Sequence, residues 1–508
     1  MPEAATRRPL GIAVAAAFAA LFALNCYRAA TQSVTHDEAL TWEIYLAGPA
    51  SNIFDHFDAN HHFLGTVLER LSTGLLGTSE LTLRLPALLA GALYLVTAYR
   101  LSVLAFGGGP LFALASVLLV ANPLVLDFLV AARGYGLALA FLFCALTAMI
   151  GHLAAGAGAS DWKRLWRAGA ALGLAVAANL TFAAPALALA AVFLVLLARR
   201  PAPPAKPKRR RKANAPPSAR SEAAHFAIPL GAVGLLYALV APLTKARAAD
   251  FYVGVDSAIQ SLRSLAAVSF AHNSGIGGVN APPGPWLAVL AAVLPCAAVT
   301  AAAFGAVRVL GALRNGRAPG ALDATLLLAG CTVVGAALCL LAMHSLAGLP
   351  YPGGRTGLYL LPLEGLCVVA IAAGLLRHAA PFRLAGIAMA LLGAVMAGEY
   401  VLQLNQTAFH DWRYDADSKA ILDRINADRR GRAPVRIGVS WQLEPSFNFY
   451  RFTRNWTWMP VFNRNGPYGD YDYYVVIVND YPVLHSKPLR EIYRGPNSET
   501  VLAASPHF

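Results

Sequence analysis

The chain has 508 residues, of which 57% are apolar and only 13% charged. A soluble globular chain carries about 25% charged residues, so the composition excludes an ordinary water-soluble protein and points to a polytopic membrane protein. The net charge of +14 does not argue for nucleic-acid binding, because basic clusters between apolar runs mark the cytoplasmic side of a membrane protein.

Apolar runs free of Asp, Glu, Lys and Arg cover 9–27, 101–126, 168–198, 226–244, 279–307 and 324–343. A helix needs roughly 20 apolar residues to cross a bilayer, and in lipid each backbone amide must pair within its own element, so these runs are expected to be helices. Arg7 and Arg8 precede the first run, and no small-x-small cleavage site closes it; it reads as a retained anchor. Threading the chain by its basic loops predicts about eleven transmembrane helices: 10–30, 82–104, 110–128, 132–153, two in the 168–198 hairpin broken near "NLTFAAP", then 225–244, 284–306, 322–344, 356–376 and 384–404. The N-terminus is then cytoplasmic. Residues 31–80, 245–282 and 405–508 are external.

The segment 199–222, with "RRPAPPAKPKRRRKANAPPSAR", reads as a disordered cytoplasmic loop that can touch anionic headgroups. The six cysteines all fall in apolar spans, which suits small core residues rather than a disulfide framework. The tail 405–508 reads as a separate small α/β domain: "DSKAILDRINADRR" has a helical period, and "VRIGVSW" and "YDYYVVIVN" look like strands. Its "DAD" at 415–417 reads as the start of a surface helix. The aromatics between 441 and 474 read as core and interface packing.

The segment after the first helix, "SVTHDEALTWEIYLAGPASNIFDHFDANHHFLGTVLERL", is dense in carboxylates and histidines. Asp37 and Glu38 follow the helix by a few residues, at the external membrane surface. Neighbours on a helix point different ways, so the two acids can have separate roles, and a partly desolvated carboxylate can serve as general base. Ordinary surface acids are the alternative. His56, His61 and His62, with Asn60, suit hydrogen bonding to substrate or structural polar contacts; their spacing argues against a metal site. Glu364 lies inside an apolar span, where an acid faces a polar cavity or pairs with a cation.

The run from "THDEALTWEIYLAGP" through "SELTLRLPALLAGAL" resembles the first external loop and second helix of GT-C glycosyltransferases, in particular the bacterial relatives of dolichyl-phosphate-mannose–protein mannosyltransferases. "NPLVLDFLVAARGYGLALAF" is similar to their "aRxYxL" segment, and "PYPGGRTGLYLLPL" to their late Arg–Tyr–Pro motif. The resemblance covers about residues 10–375. One departure is that Ala131 and Ala132 stand where relatives often carry an acid.

The resemblance implies inverting transfer of a sugar from a polyprenyl-phosphate donor at the periplasmic face of a bacterial inner membrane, onto a glycan, lipid or protein acceptor. Asp37 is then the base, and Glu38 orients the acceptor or supports Asp37. Arg133 and Arg355, at external helix ends, would hold the donor phosphate, since guanidinium matches phosphate bidentately; Tyr135 would stand beside it. His56, Asn60, His61, His62 and Glu364 would contact substrate. No cofactor is expected, with a divalent metal ion left open. A transporter or flippase of a polar or lipid-linked substrate is the rival class.

Overall fold

The computed structural model describes residues 2–156, 161–199, 218–247, 250–251, 253–270 and 285–506. Most of the basic loop at 199–222, and part of the segment 245–282, lie outside the described residues.

Helices occupy all eleven expected positions: Pro2–Thr31, Glu80–Phe106, Pro110–Val120 continued by Pro123–Phe128, Gly134–Ala155, Trp162–Ala178, Ala183–Ala198, Ala219–Val240, Pro285–Arg314, Ala321–Ala347, Leu360–Leu375 and Phe382–Leu402. Among the described residues eight helices are long and apolar enough to cross a membrane. Bulky apolar side chains such as Leu89, Leu187, Leu346 and Val395 stand exposed on them, as suits helices solvated by lipid. The protein is a helical multi-pass membrane protein with a small C-terminal α/β domain.

The expected helix 110–128 is broken. Asn122 caps a new helix, its Oδ1 accepting from the Leu124 and Val125 amides at 3.0 and 3.2 Å, and Pro123 begins it. The 168–198 hairpin breaks where expected, at Asn179 and a short 3₁₀ turn over Leu180–Phe182.

The tail forms a four-stranded sheet of β1 (Ile437–Val439), β2 (Tyr473–Val476), β3 (Arg490–Arg494) and β4 (Val501–Ala504), in the order β1-β2-β4-β3. β1 and β2 are parallel, while β4 runs antiparallel to both β2 and β3. Its core is continuous with the loop after the first helix: Val34, Ala39, Trp42, Leu83 and Ala132 pack in one cluster with Ile421, Phe447, Val439 and Tyr473.

Two buried ion pairs tie the first helix, the loop and the tail together. Thr35 and Glu38 form a reciprocal capping box at the helix His36–Thr41. Glu38 also takes a bidentate pair from Arg84, Nε to Oε1 at 2.8 Å and Nη2 to Oε2 at 2.6 Å, and accepts from the Ala132 amide at 2.7 Å. Arg84 gives its remaining N–H groups to the carbonyls of Ala29, Gln32 and Ser33. Both side chains are wholly shielded from solvent. Nearby, Arg28 pairs with Asp127, whose Oδ2 accepts from the His410 amide at 2.7 Å. The Phe409 ring lies under both guanidinium groups, 5.0 Å from Arg28 and 4.9 Å from Arg84.

The "DAD" motif is not a surface helix start. Asp415 and Asp417 are buried. Asp415 accepts from the His36 amide at 2.7 Å and from Ser446 Oγ at 2.8 Å. Asp417 accepts from Ser498 through both amide and hydroxyl, each at 2.7 Å. These acids are cross-links, and position alone did not distinguish them from exposed ones.

Breaking one side of a buried pair leaves an uncompensated charge, at a cost of about 3–5 kcal/mol. Arg84→Met is therefore expected to lower the thermal unfolding midpoint and folded yield of the detergent-purified protein strongly. A loss of only about 1 kcal/mol, typical of exposed pairs, would show that the pair does not anchor the loop.

Candidate active site

Asp37 is the second residue of the helix His36–Thr41, one position before the anchored Glu38. Successive helical residues diverge, so fixing Glu38 on Arg84 turns Asp37 the other way, towards Arg355 and Arg133. Arg355 Nη2 lies 3.0 Å from Asp37 Oδ2 and Arg133 Nη2 lies 3.5 Å from the same oxygen. Arg355 also reaches Asp411 at 3.6 Å and stacks over Trp412, 5.3 Å from the ring centre.

Both arginines are held by local backbone design. Arg133 caps the helix Gly134–Ala155 and donates Nη1 to the Asn60 carbonyl at 3.1 Å and to Thr41 Oγ1 at 3.3 Å. The glycine after it is required: a Cβ at Gly134 would stand 1.9 Å from the Ala178 carbonyl oxygen and 2.7 Å from His62 Cβ. Arg355 belongs to the 3₁₀ turn Gly354–Gly357, where the Gly353 amide is capped by Thr356 Oγ1 at 2.9 Å.

Burial pushes the Asp37 carboxyl up, but the positive charges of Arg355, Arg133 and then His36 outweigh it, so the group lies below the usual carboxylate range. For Arg355 the balance is the mirror image. Burial opposes its charge, and Asp37 and Asp411 hold its pKa above the usual guanidinium value. Burial leaves Asp411 raised despite Arg355.

Several buried polar atoms around this centre have no hydrogen-bond partner in the protein: Asp37 Oδ2, Arg133 Nε, His61 Nε2, His62 Nε2 and Glu69 Oε2. Asp37 Oδ2 lies in ion-pair contact with the two arginines without the geometry of a hydrogen bond. Buried polar groups are almost always satisfied, so these atoms leave hydrogen-bonding capacity in this region.

His61 stacks on Tyr45, with ring centres 4.3 Å apart, and burial followed by the His56 charge lowers its pKa to about 4. His62 packs edge-on against Tyr135 at 5.0 Å; burial, Arg133 and His61 keep it well below the ordinary value. Both shifts favour the neutral imidazole. Among the described residues no group of three or more His, Cys, Asp and Glu is arranged to hold a metal ion.

Three expectations require correction. Glu38 cannot orient an acceptor, because all of its acceptor capacity is spent inside the protein, which leaves it the other expected role of supporting Asp37. Asn60 spends its Nδ2 on the Asp37 carbonyl at 3.0 Å and on Thr41 Oγ1 at 2.9 Å, so its amide nitrogen holds the helix and is not free for a substrate. His56 stands apart from this centre, exposed at the rim of a separate cavity, so only its placement beside the arginines is not met. Glu364 is buried within the helix Leu360–Leu375, roughly 13 Å beyond Arg355 at helical rise, and makes no ion pair among the described residues. Tyr135 lies beside the centre, against His62 and Phe128.

Sequence reasoning passed over Arg84, Asp127, Glu69, Asp411 and Trp412. A lone charge inside an apolar span is a functional or architectural signal, and Arg84 and Asp127 carry it. Asp411 and Trp412 carry none, since only the fold brings them to Asp37.

No protein-family profile and no curated protein matches the chain. The structure resembles that of ArnT from Cupriavidus metallidurans bound to undecaprenyl phosphate, at 15% identity over 96% of this chain and 97% of that one, with a TM-score of 0.44. The apo state of ArnT gives 14% identity, the same coverage and a TM-score of 0.46. The archaeal oligosaccharyltransferase AglB from Archaeoglobus fulgidus, in complex with an inhibitory peptide and a dolichol-phosphate, gives 13% identity over 96% of this chain and 74% of that one, with a TM-score of 0.37.

Glu69 yields a pH prediction. It is buried on the helix Phe63–Leu76, and burial pushes its carboxyl from 4.5 up to about 8. An acid whose folded pKa is raised favours folding below its unfolded pKa and loses that contribution as pH rises through the folded one. Unfolding midpoints of wild type are therefore expected to fall relative to Glu69→Gln between pH 4.5 and about 8. Parallel profiles would place the ionisation elsewhere.

Proposed function

We propose that the protein is a GT-C-type membrane glycosyltransferase. It moves a hexosyl or pentosyl group from a polyprenyl-phosphate sugar to an acceptor hydroxyl at the periplasmic face of a bacterial inner membrane. The observation that carries the reading is the triad of one carboxylate and two guanidinium groups, Arg133–Asp37–Arg355, at the meeting of the helical bundle and the C-terminal domain. This is the donor and acceptor set that a lipid-linked phosphate demands.

Arg355 and Arg133 bind the donor phosphate by charge-assisted hydrogen bonds. Asp37 takes the proton of the acceptor hydroxyl. The acceptor oxygen bonds to the anomeric carbon as the bond from that carbon to the phosphate oxygen breaks, with inversion, and the polyprenyl phosphate leaves as an anion held by the two arginines. Neutral His62 and His61 supply hydrogen bonds to the sugar or the phosphate.

The depressed pKa of Asp37 makes it a poor base while both arginines face it. An incoming phosphate competes for the same guanidinium groups. Their attraction for Asp37 then weakens, burial prevails, and its pKa rises towards the range a base needs. Donor binding thus switches on the base.

The test is transfer from a panel of radiolabelled polyprenyl-phosphate sugars in nanodiscs, with a membrane extract as acceptor. Asp37→Asn is expected to lower kcat by about 10²–10⁴-fold with donor binding retained. Arg355→Gln is expected to weaken donor binding by about tenfold or more, the worth of about 1.4 kcal/mol. Unchanged transfer by Asp37→Asn would remove the base assignment. Neither transfer nor donor hydrolysis by well-folded wild type would overturn the enzyme in favour of a transporter or flippase.

A further inference from the structure

A separate concavity lies between the loop after the first helix and the C-terminal domain. It has a volume of about 670 Å³ and is lined by Leu40, Glu43, Asn52, His56, Glu444 and Arg464, among others. Ligand clefts span roughly 300–1,000 Å³. One wall comes from the loop after the first helix. Leu40, which lines the cavity, follows Asp37 by three residues and lies on the same side of the helix, about 5 Å further along its axis. The opposite wall comes from the C-terminal domain, where Glu444 opens the helix Glu444–Thr453.

The walls are preorganised. Buried Asn448 donates Nδ2 to Glu444 Oε1 at 2.8 Å and to the Phe462 carbonyl at 3.2 Å, and its Oδ1 accepts from the Phe462 amide at 2.9 Å. Asn52 Nδ2 donates to the Ile44 carbonyl at 2.8 Å. Arg464 Nε lies 3.7 Å from Glu444 Oε2, and its guanidinium stands over Trp441 at 5.8 Å. Trp441 in turn meets the His36 ring edge-on at 5.7 Å. The residue next to Asp37 is therefore one ring away from the cavity wall.

The polarity is opposite to that of the arginine centre. Glu43 makes no ion pair among the described residues and feels Arg464 only at a distance, whereas Glu444 pairs with Arg464. Burial raises both carboxyls, and the charge of Glu43 raises Glu444 further. The lining of two acids, two amides and one arginine, set among Leu40, Ile44 and Phe462, accepts hydrogen bonds from O–H and N–H groups, and with more acids than bases it disfavours phosphate or carboxylate.

We infer that this cavity is the acceptor subsite of the transfer reaction proposed above, on which the inference rests, and that it takes a hydroxyl-rich, non-anionic glycan. Glu43 and Glu444 receive its hydroxyls, Asn52 and Asn463 close on its edges, and the glycan's reacting hydroxyl points along the helix towards Asp37.

The test is donor-free binding, read by saturation-transfer NMR on the full-length protein in nanodiscs. The probes are neutral gluco-, manno- and galacto-oligosaccharides, chitosan oligomers, and uronic-acid oligomers as the anionic set. At least one neutral or amino-sugar probe is expected to bind, and the uronic-acid set is not. Asn463→Trp, at an exposed rim position, and the double variant Glu43→Ala/Glu444→Ala are each expected to weaken that binding at least tenfold. Three results overturn the inference: no neutral or amino-sugar probe binds, the uronic-acid oligomers bind best, or Asn463→Trp binds as wild type does. Donor hydrolysis, measured separately on wild type, tests the enzymatic reading itself. Hydrolysis without glycan binding removes only the subsite, whereas glycan binding without transfer or hydrolysis removes only the enzyme.

Discussion

The Glu38–Arg84 pair is the contact on which the rest of the site depends. Two full charges wholly shielded from solvent are costly unless every lone pair and proton is used, and here they are: one bidentate contact of two hydrogen bonds, two backbone amides and three backbone carbonyls. The pair joins the end of the first helix, the start of the Glu80–Phe106 helix and the turn before Gly134. Those three strands of chain carry or adjoin Asp37 and Arg133. A pair of this kind supplies geometric specificity in excess of net stability. It has one arrangement that satisfies it, and that arrangement aims Asp37 at Arg355.

The C-terminal domain completes this frame. Its aspartates, Asp411 and Asp415, meet the loop at the Arg355 guanidinium and at the His36 amide, while Phe409 and Trp412 stack on three arginines. A guanidinium on an aromatic face keeps its planar edge free for hydrogen bonding. Trp412 can thus hold Arg355 in place without consuming the donors that face Asp37. The shared apolar core between loop and domain makes the site a property of both parts of the chain.

Much of the architecture is legible in the sequence because lipid imposes a simple rule. Charge-free runs of sufficient length must be helices, and the helices are present at every expected position. Asp37, Arg133 and Arg355 are legible for a related reason: each is a charge beside an apolar span, and the fold brings the three together. The roles of neighbouring acids are not legible in that way. Asp37 and Glu38 are the same chemistry one residue apart, and only Arg84 and Arg355, far away in the chain, decide which is locked and which faces the site. The Thr35-to-Glu38 capping box is a local sign of that difference. The burial of Asp415 and Asp417 has no local sign, since it depends on Ser446 and Ser498 arriving from other elements.

The electrostatics of the centre also bear on the order of events. With Arg133 and Arg355 both facing Asp37, the carboxylate is stabilised in its charged form and has little affinity for a proton. On the proposed reading an acceptor arriving alone would meet a carboxylate of depressed pKa, whereas a phosphate arriving first would draw off the guanidinium groups and leave Asp37 the more basic. On the proposed reading the site therefore favours donor before acceptor, and the same two arginines serve twice: they suppress the base in the empty site and stabilise the leaving phosphate in the filled one.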